Sequence, residues 1–463
     1  MKRIAKIPAR VPETVRVADV IAGLSRALDI TEGHPQGHAA RSCIIGMRIG
    51  AMLRLTDDER TDLFYALLLK DAGCSSNAAR VYQLFGGDDH TAKRAVWLRD
   101  WRHLYEKAAY GLSYAGRGEG LTARLVRVLK LAAAGPKAER ELFQVRCERG
   151  AAIALDLGLS HATAAAIRSM DEHWDGGGQP TGLAGERIPM LARIIGLAQV
   201  LEIFSQQGGA ALARDVAVRR SGRWFDPALV AAIRPLFDNG VFWTELQRRD
   251  PMALVARDEP CPLFVRADHS RLDRIAEAFA AVIDAKSPFT SDHSRRVARY
   301  AETIARRLNF DERSLVRLRR AALLHDIGKL GVPNRILDKA DRLGPDEWDL
   351  VRLHPAHTFD ILQAVPLFRD FAYDASCHHE KLNGRGYPYA LGGMAISPTA
   401  RVLAVADISD ALLADRPYRA SLARPDVIRI LETECADGAL CSTTVRATVA
   451  GFPPIEPSDS GER

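Results

Sequence analysis

Apolar positions recur every three or four residues along most of this chain. In SDHSRRVARYAETIARRLNF, residues 291–310, Val297, Tyr300, Ala301, Ile304 and Leu308 fall on one face of a helix. Ser291 or Asp292 suits its N-cap. SLVRLRRAALLHD, PDEWDLVRLHP and TARVLAVADISDALL carry the same period. Strand-like alternation is scarce, so the pattern predicts an all-α protein with at most small hairpins in its Gly-rich loops. Residues 249–270, RDPMALVARDEPCPLFVRADHS, hold three Pro and no sustained helical period, and read as the join between two halves.

The halves repeat each other. GHAARSCIIGMRIGAMLRL aligns with DHSRRVARYAETIARRLNF, and ALLLKDAGC with ALLHDIGK; 32 residues separate His38 from Lys70, as they do His293 from His325. Farther on, EHWDGGGQPTGLAGERIPMLARIIGLAQVLE aligns with EKLNGRGYPYALGGMAISPTARVLAVADISD. The offset falls from 255 to 208 residues, so the first half carries 47 extra residues between Cys74 and Met170. The expected organisation is two tandem domains over 1–250 and 271–451, a linker over 251–270 and a disordered Pro- and Ser-rich tail over 452–463.

Composition narrows the surroundings. Seven Cys are scattered without a CxxC, which argues against a disulfide framework or a Cys-rich zinc site. No apolar run approaches the roughly 20 residues of a membrane helix, so the expected location is the cytoplasm. The net charge of +6 permits an anionic ligand without demanding nucleic acid. Residues 91–150 hold 13 Lys and Arg against 6 Asp and Glu, with Trp97, Trp101 and Tyr105 among them. A solvated helix face with a few core aromatics accounts for that stretch better than a nucleic-acid site.

The second half gathers histidines and carboxylates. His293 opens one helix and His325-Asp326 closes the next; His354, His378, His379 and Asp407 follow. Singly each is weak, since chance alone supplies roughly one His-Asp dipeptide in such a chain. Asp407 is the hardest to dismiss, because it lies inside an apolar helix where a lone carboxylate costs several kcal/mol. Imidazoles with carboxylates suit iron or manganese, less exclusively zinc, cobalt or nickel. This many donors suit two ions rather than one, and such a pair clamps both oxygens of an in-line phosphoryl displacement.

LLHDIGKLGVPNRIL, His354-Pro355, HHEKLNGRGYP and VADISDALLADRPYR together resemble the HD-GYP phosphodiesterases over residues 270–450. The resemblance implies hydrolysis of cyclic di-GMP to pGpG or GMP, with another cyclic dinucleotide or nucleotide, or a slow scaffold, as alternatives. It implies His293, His325, Asp326, His354, His378, His379 and Asp407 as metal ligands, with Asp326 bridging. Lys329 is expected beside the reacting phosphate. Arg385, Gly386, Tyr387, Pro388, Asp410, Arg416 and Arg419 are expected on the substrate. Three-metal members carry a Glu where this chain has Phe289, so two divalent ions, Fe or Mn, are expected. In the first half Lys70, Cys74, Met170, Asp171, Gln179 and Gln199 stand where the motif residues would, which predicts a metal-free pseudo-domain. It is expected to pack on the active half or to support a homodimer.

Overall fold

The computed structural model of the protein describes residues 14–31, 35, 37–85, 113–114, 120–248, 251–261, 264–266, 269–416 and 419–451. Trp97, Trp101, Tyr105 and the tail 452–463 lie outside them. Helices dominate, as the apolar period dictates. His293–Arg307 buries Val297, Ala298, Ala301, Ile304 and Ala305 on one face. Glu312–Leu324 follows it, opened by Asp311, whose carboxylate accepts from the Ser314 amide at 2.7 Å. Asp292 does not cap its helix by side chain: it sits at φ 53°, and its carboxylate turns to Arg295 instead.

Among the described residues the strands are Thr14–Arg16 and Phe264–Arg266, paired antiparallel with Val15 opposite Val265. They are not a hairpin in a Gly-rich loop. They bring together the two ends of the first half, and three residues are too few to show alternation in sequence. The segment read as a linker is also partly helical. Pro251–Asp258 forms a helix, with Pro251 in the first turn where its missing N–H costs nothing. Leu254 and Val255 are buried, and the helix packs on His38–Met52. Glu259 then receives the Tyr65 hydroxyl at 2.7 Å and pairs with Arg16.

One continuous apolar core runs from Val17 to Ala406 through both halves. The packing is reciprocal. Val17–Thr31, which precedes the His38 helix, lies against the turn Ile327–Gly331 and the helix His354–Ala364 of the second half. Its counterpart His269–Asp284 lies against Cys74–Asn77 and Leu121–Asp156 of the first half. Each half therefore braces the turn that follows the other's Lys/His-Asp pair. No described helix is long and apolar enough to cross a membrane.

Candidate metal centre

The seven expected ligands converge from five segments. His325 ends Glu312–Leu324, His354 opens His354–Ala364, and His378 follows Arg369–Ser376. Each of the three places its Nδ1 2.7 Å from the carbonyl three residues earlier, on Ala322, Val351 and Ala375. A carbonyl only accepts, so Nδ1 carries the hydrogen and the Nε2 lone pair is left for another partner. The local helix end thus sets the tautomer before any ligand is considered.

Those Nε2 atoms sort around Asp326. Its Oδ2 lies 3.5 Å from His293 Nε2 and 3.4 Å from His325 Nε2. Its Oδ1 lies 3.3 Å from His354 Nε2 and 3.6 Å from His378 Nε2. Asp407 Oδ1 joins the first group, 3.3 Å from His293 and 3.6 Å from His325. His379 joins the second: with His354 and His378 it offers ligand atoms within 4.8 Å of one another, as do His293, His325 and Asp407. His293 Nε2, His325 Nε2 and Asp326 Oδ1 are buried and hydrogen-bond to nothing. Each such atom costs about 1–3 kcal/mol. The two imidazole nitrogens lie beside Asp326 Oδ2 and the bare Oδ1 faces His354 and His378, so the orphaned atoms fit cations on both sides of the carboxylate, and the donor set fits a divalent metal.

Around this set sits a support that motif reading missed. Asp410 accepts from His293 Nδ1 at 2.6 Å, and Arg296 grips the same carboxylate at 2.6 and 3.0 Å. Asp410 is 1% exposed. It was expected on the dinucleotide, but burial and full occupation of both oxygens assign it to holding the His293 ring. The signal was present: Arg296 lies three residues past His293 and Asp410 three past Asp407, each about one turn on. Burial works against charge on His293, yet Asp326, Asp407 and Asp410 outweigh it and push its pKa up to about 10. Burial and the nearby His354 push His379 down to about 3.

The remaining site residues divide. Lys329 donates to Asp326 Oδ2 at 2.6 Å while staying partly open to solvent. Tyr387 stacks on His379, ring centroids 4.8 Å apart. Arg385 is exposed, and Pro388, half-buried, follows a cis peptide. Gly386 packs against its own loop. It is buried where a Cβ would lie 2.6 Å from the His379 carbonyl, so the turn itself demands glycine. Glu380, also missed, holds this loop by accepting from the Tyr389 and Leu391 amides at 2.7 and 2.8 Å. Arg419 was expected on the substrate phosphate, and here it bonds to backbone. Its guanidinium donates to the Ala411, Leu412 and Ala420 carbonyls and closes the end of Pro398–Leu413. Arg416 is half-buried, and among the described residues its side chain has no recorded polar partner.

The HD-domain family matches residues 131–229 and 277–438. A 3'3'-cGAMP-specific phosphodiesterase of Vibrio cholerae is 42% identical over 90% of this chain and 91% of its own length. The chain belongs to the HD-GYP phosphodiesterases of the HD-domain family. A solved structure of a cyclic GMP-AMP-specific phosphodiesterase from V. cholerae is 37% identical, covers 95% of this chain and 99% of its own, and superposes with a TM-score of 0.65. The cyclic di-GMP phosphodiesterase response regulator RpfG of Xanthomonas campestris pv. campestris is 32% identical over 37% of this chain and 47% of its own length.

The first HD-like half keeps the frame of this centre and puts cations at two ligand positions, Lys70 for His325 and Arg146 for His354. Glu202 accepts from His38 Nδ1 and from Arg41 Nε at 2.6 Å, repeating the Asp410, His293 and Arg296 arrangement. Lys70 Nζ lies 3.0 Å from His38 Nε2 and pairs with Asp71. A Cβ on Gly73 would lie 1.9 Å from the Arg146 carbonyl, as one on Gly328 would from that of His354. Arg146 is therefore the counterpart of His354, and its guanidinium pairs with Asp171. The 47 extra residues accordingly end before Arg146. Burial and Lys70 hold His38 well below the usual imidazole range, and its Nε2 accepts from the lysine.

Proposed function

We propose that the protein is a two-metal phosphodiesterase that opens a 3'–5' phosphodiester of a cyclic dinucleotide, with 3'3'-cGAMP as its preferred substrate. The observation that carries the two-ion reading is Asp326, whose Oδ2 faces His293 and His325 while its Oδ1 faces His354 and His378. His293, His325, Asp326 and Asp407 would hold one ion, and His354, His378, His379 and Asp326 the other. With no thiol among the donors, iron or manganese suits the set. When bound, such a pair lowers the pKa of water enough to supply hydroxide at neutral pH and clamps the phosphoryl oxygens.

The chain's own groups do the rest. The Nδ1–H bonds to backbone hold the rings so that each Nε2 lone pair points inward. Asp410 does the same for His293. Lys329 is placed beside Asp326 to offset charge gathering on the phosphoryl oxygens. Tyr387, stacked on His379, would line the substrate side.

The choice of cGAMP is supported by the extent of likeness. The relative named for 3'3'-cGAMP aligns across both halves, whereas RpfG, named for cyclic di-GMP, aligns over 37% of this chain. Cyclic di-GMP, cut to pGpG or GMP, is the second reading, supported by this chain's resemblance to the HD-GYP motif and by its likeness to RpfG. The test is steady-state hydrolysis of both dinucleotides by anaerobically purified protein with its metal content measured. A higher kcat/KM on 3'3'-cGAMP is expected. Faster turnover of cyclic di-GMP overturns the preference, and metal-independent turnover, or none, overturns the reading as a whole.

A further inference from the structure

We infer that Arg352 is a substrate-binding residue, gripping the second phosphate of the dinucleotide, the one not being cut; this rests on the proposed phosphodiesterase reading. Arg352 ends the helix Pro345–Arg352, two residues before His354. Its guanidinium lies over the Tyr387 ring, 5.1 Å from the centroid, and Tyr387 in turn stacks on His379 at 4.8 Å with the planes 28° apart. The arginine is thus tied through one aromatic ring to a ligand of the candidate metal centre. It is exposed, and among the described residues no carboxylate pairs with it.

Several guanidinium groups of this chain are committed to acids or carbonyls: Arg296 to Asp410, Arg320 to Asp273, Arg419 to three carbonyls. Arg48 also lies exposed over a ring, Phe242 at 5.5 Å, but that ring packs on Trp243, whereas Tyr387 stacks on His379. A guanidinium resting on an aromatic face keeps its N–H edge free, because cation–π contact uses the plane and not the donors. Its fork matches a phosphate bidentately. A cyclic dinucleotide carries two phosphates. One must meet the site of the clustered Nε2 atoms, and the other then needs a counter-charge close by. Arg419 commits three of its five N–H donors to the helix end, which ties its guanidinium to that end. Arg352, one ring away from His379, is placed to provide the counter-charge.

The experiment compares two phosphodiesters on metal-loaded, full-length protein. 3'3'-cGAMP has the second phosphate, and bis(p-nitrophenyl) phosphate has only the one that is cut. Arg352→Ala is expected to raise KM for 3'3'-cGAMP about tenfold or more while kcat stays within about twofold. Its kcat/KM on bis(p-nitrophenyl) phosphate is expected to match wild type. Arg352→Lys, which keeps the charge but loses the fork, is expected to fall between. An equal loss on both substrates overturns the inference, because it marks Arg352 as a prop for Tyr387 and His379. No change on either overturns it as well. Wild type that cuts the small diester but never the dinucleotide would instead defeat the cyclic-dinucleotide reading, and this inference with it.

Discussion

Two copies of one helical frame sit side by side in this protein, and they solve the same electrostatic problem differently. In both, a histidine at the head of a helix is held through Nδ1 by a buried acid that an arginine grips: His293, Asp410 and Arg296 in one, His38, Glu202 and Arg41 in the other. In both, an aspartate follows the residue that ends the next helix. Beyond that they part. Asp326 is ringed by imidazoles, two of which, His293 and His325, have an Nε2 that hydrogen-bonds to nothing, while Asp71 is neutralised by Lys70 and Asp171 by Arg146. The first half carries its cations covalently. The lesson is that one outer support can stand around a set of metal-type donors or around cations, because it also satisfies buried polar groups that the fold cannot leave bare.

The sharpest break in this comparison is Asp326→Ala against Asp71→Ala. The first should strip bound metal and take hydrolysis to background, and the second should leave metal content per chain unchanged; elemental analysis beside a dinucleotide assay reads both. Equal metal loss in the two would erase the distinction. Next comes Lys70→Met, which leaves Asp71 buried without its counter-charge. It should lower stability by about 3–5 kcal/mol, seen as a lower urea midpoint. Adding Asp71→Asn should recover part of that, while metal content stays at the wild-type value.

Asp410→Asn should weaken metal binding by about 10–100-fold, the usual consequence of disturbing a ligand's outer partner, in a chelator competition. Glu202→Gln should not affect it. The smallest effect is a proton. With a pKa of about 10, His293 is charged at pH 7, and ligating through Nε2 requires it to lose that proton. Metal uptake at pH 7 should therefore release about one proton from this ring and tighten as pH rises towards 10. His379, pushed to about 3, should release none. Calorimetry in buffers of differing ionisation enthalpy measures the count, and zero release would show His293 neutral before binding.

Much of this was legible in the residues. The helical period, the repeat, the ligand types and the loss of ligands in the first half all follow from spacing and chemistry. Three things were not. The strand pair Thr14–Arg16 with Phe264–Arg266 is too short to leave a period. Arg146 was hidden because the offset changes inside a long insertion, and it took the close approach to Gly73 to match it with His354. Asp410 and Arg419 were read as substrate contacts because both are polar and lie near motif residues, and only burial and hydrogen bonding reassign them.

The sequence by itself determined which half could hold metal, since imidazole and carboxylate are ligands wherever they are brought together and lysine is not. Tertiary structure alone decided that the two oxygens of Asp326 face different groups of histidines, and that the two halves share one core. The physical reason is range. Side-chain chemistry and helix period are local properties, whereas the direction a carboxylate faces depends on how helices far apart in the chain cross.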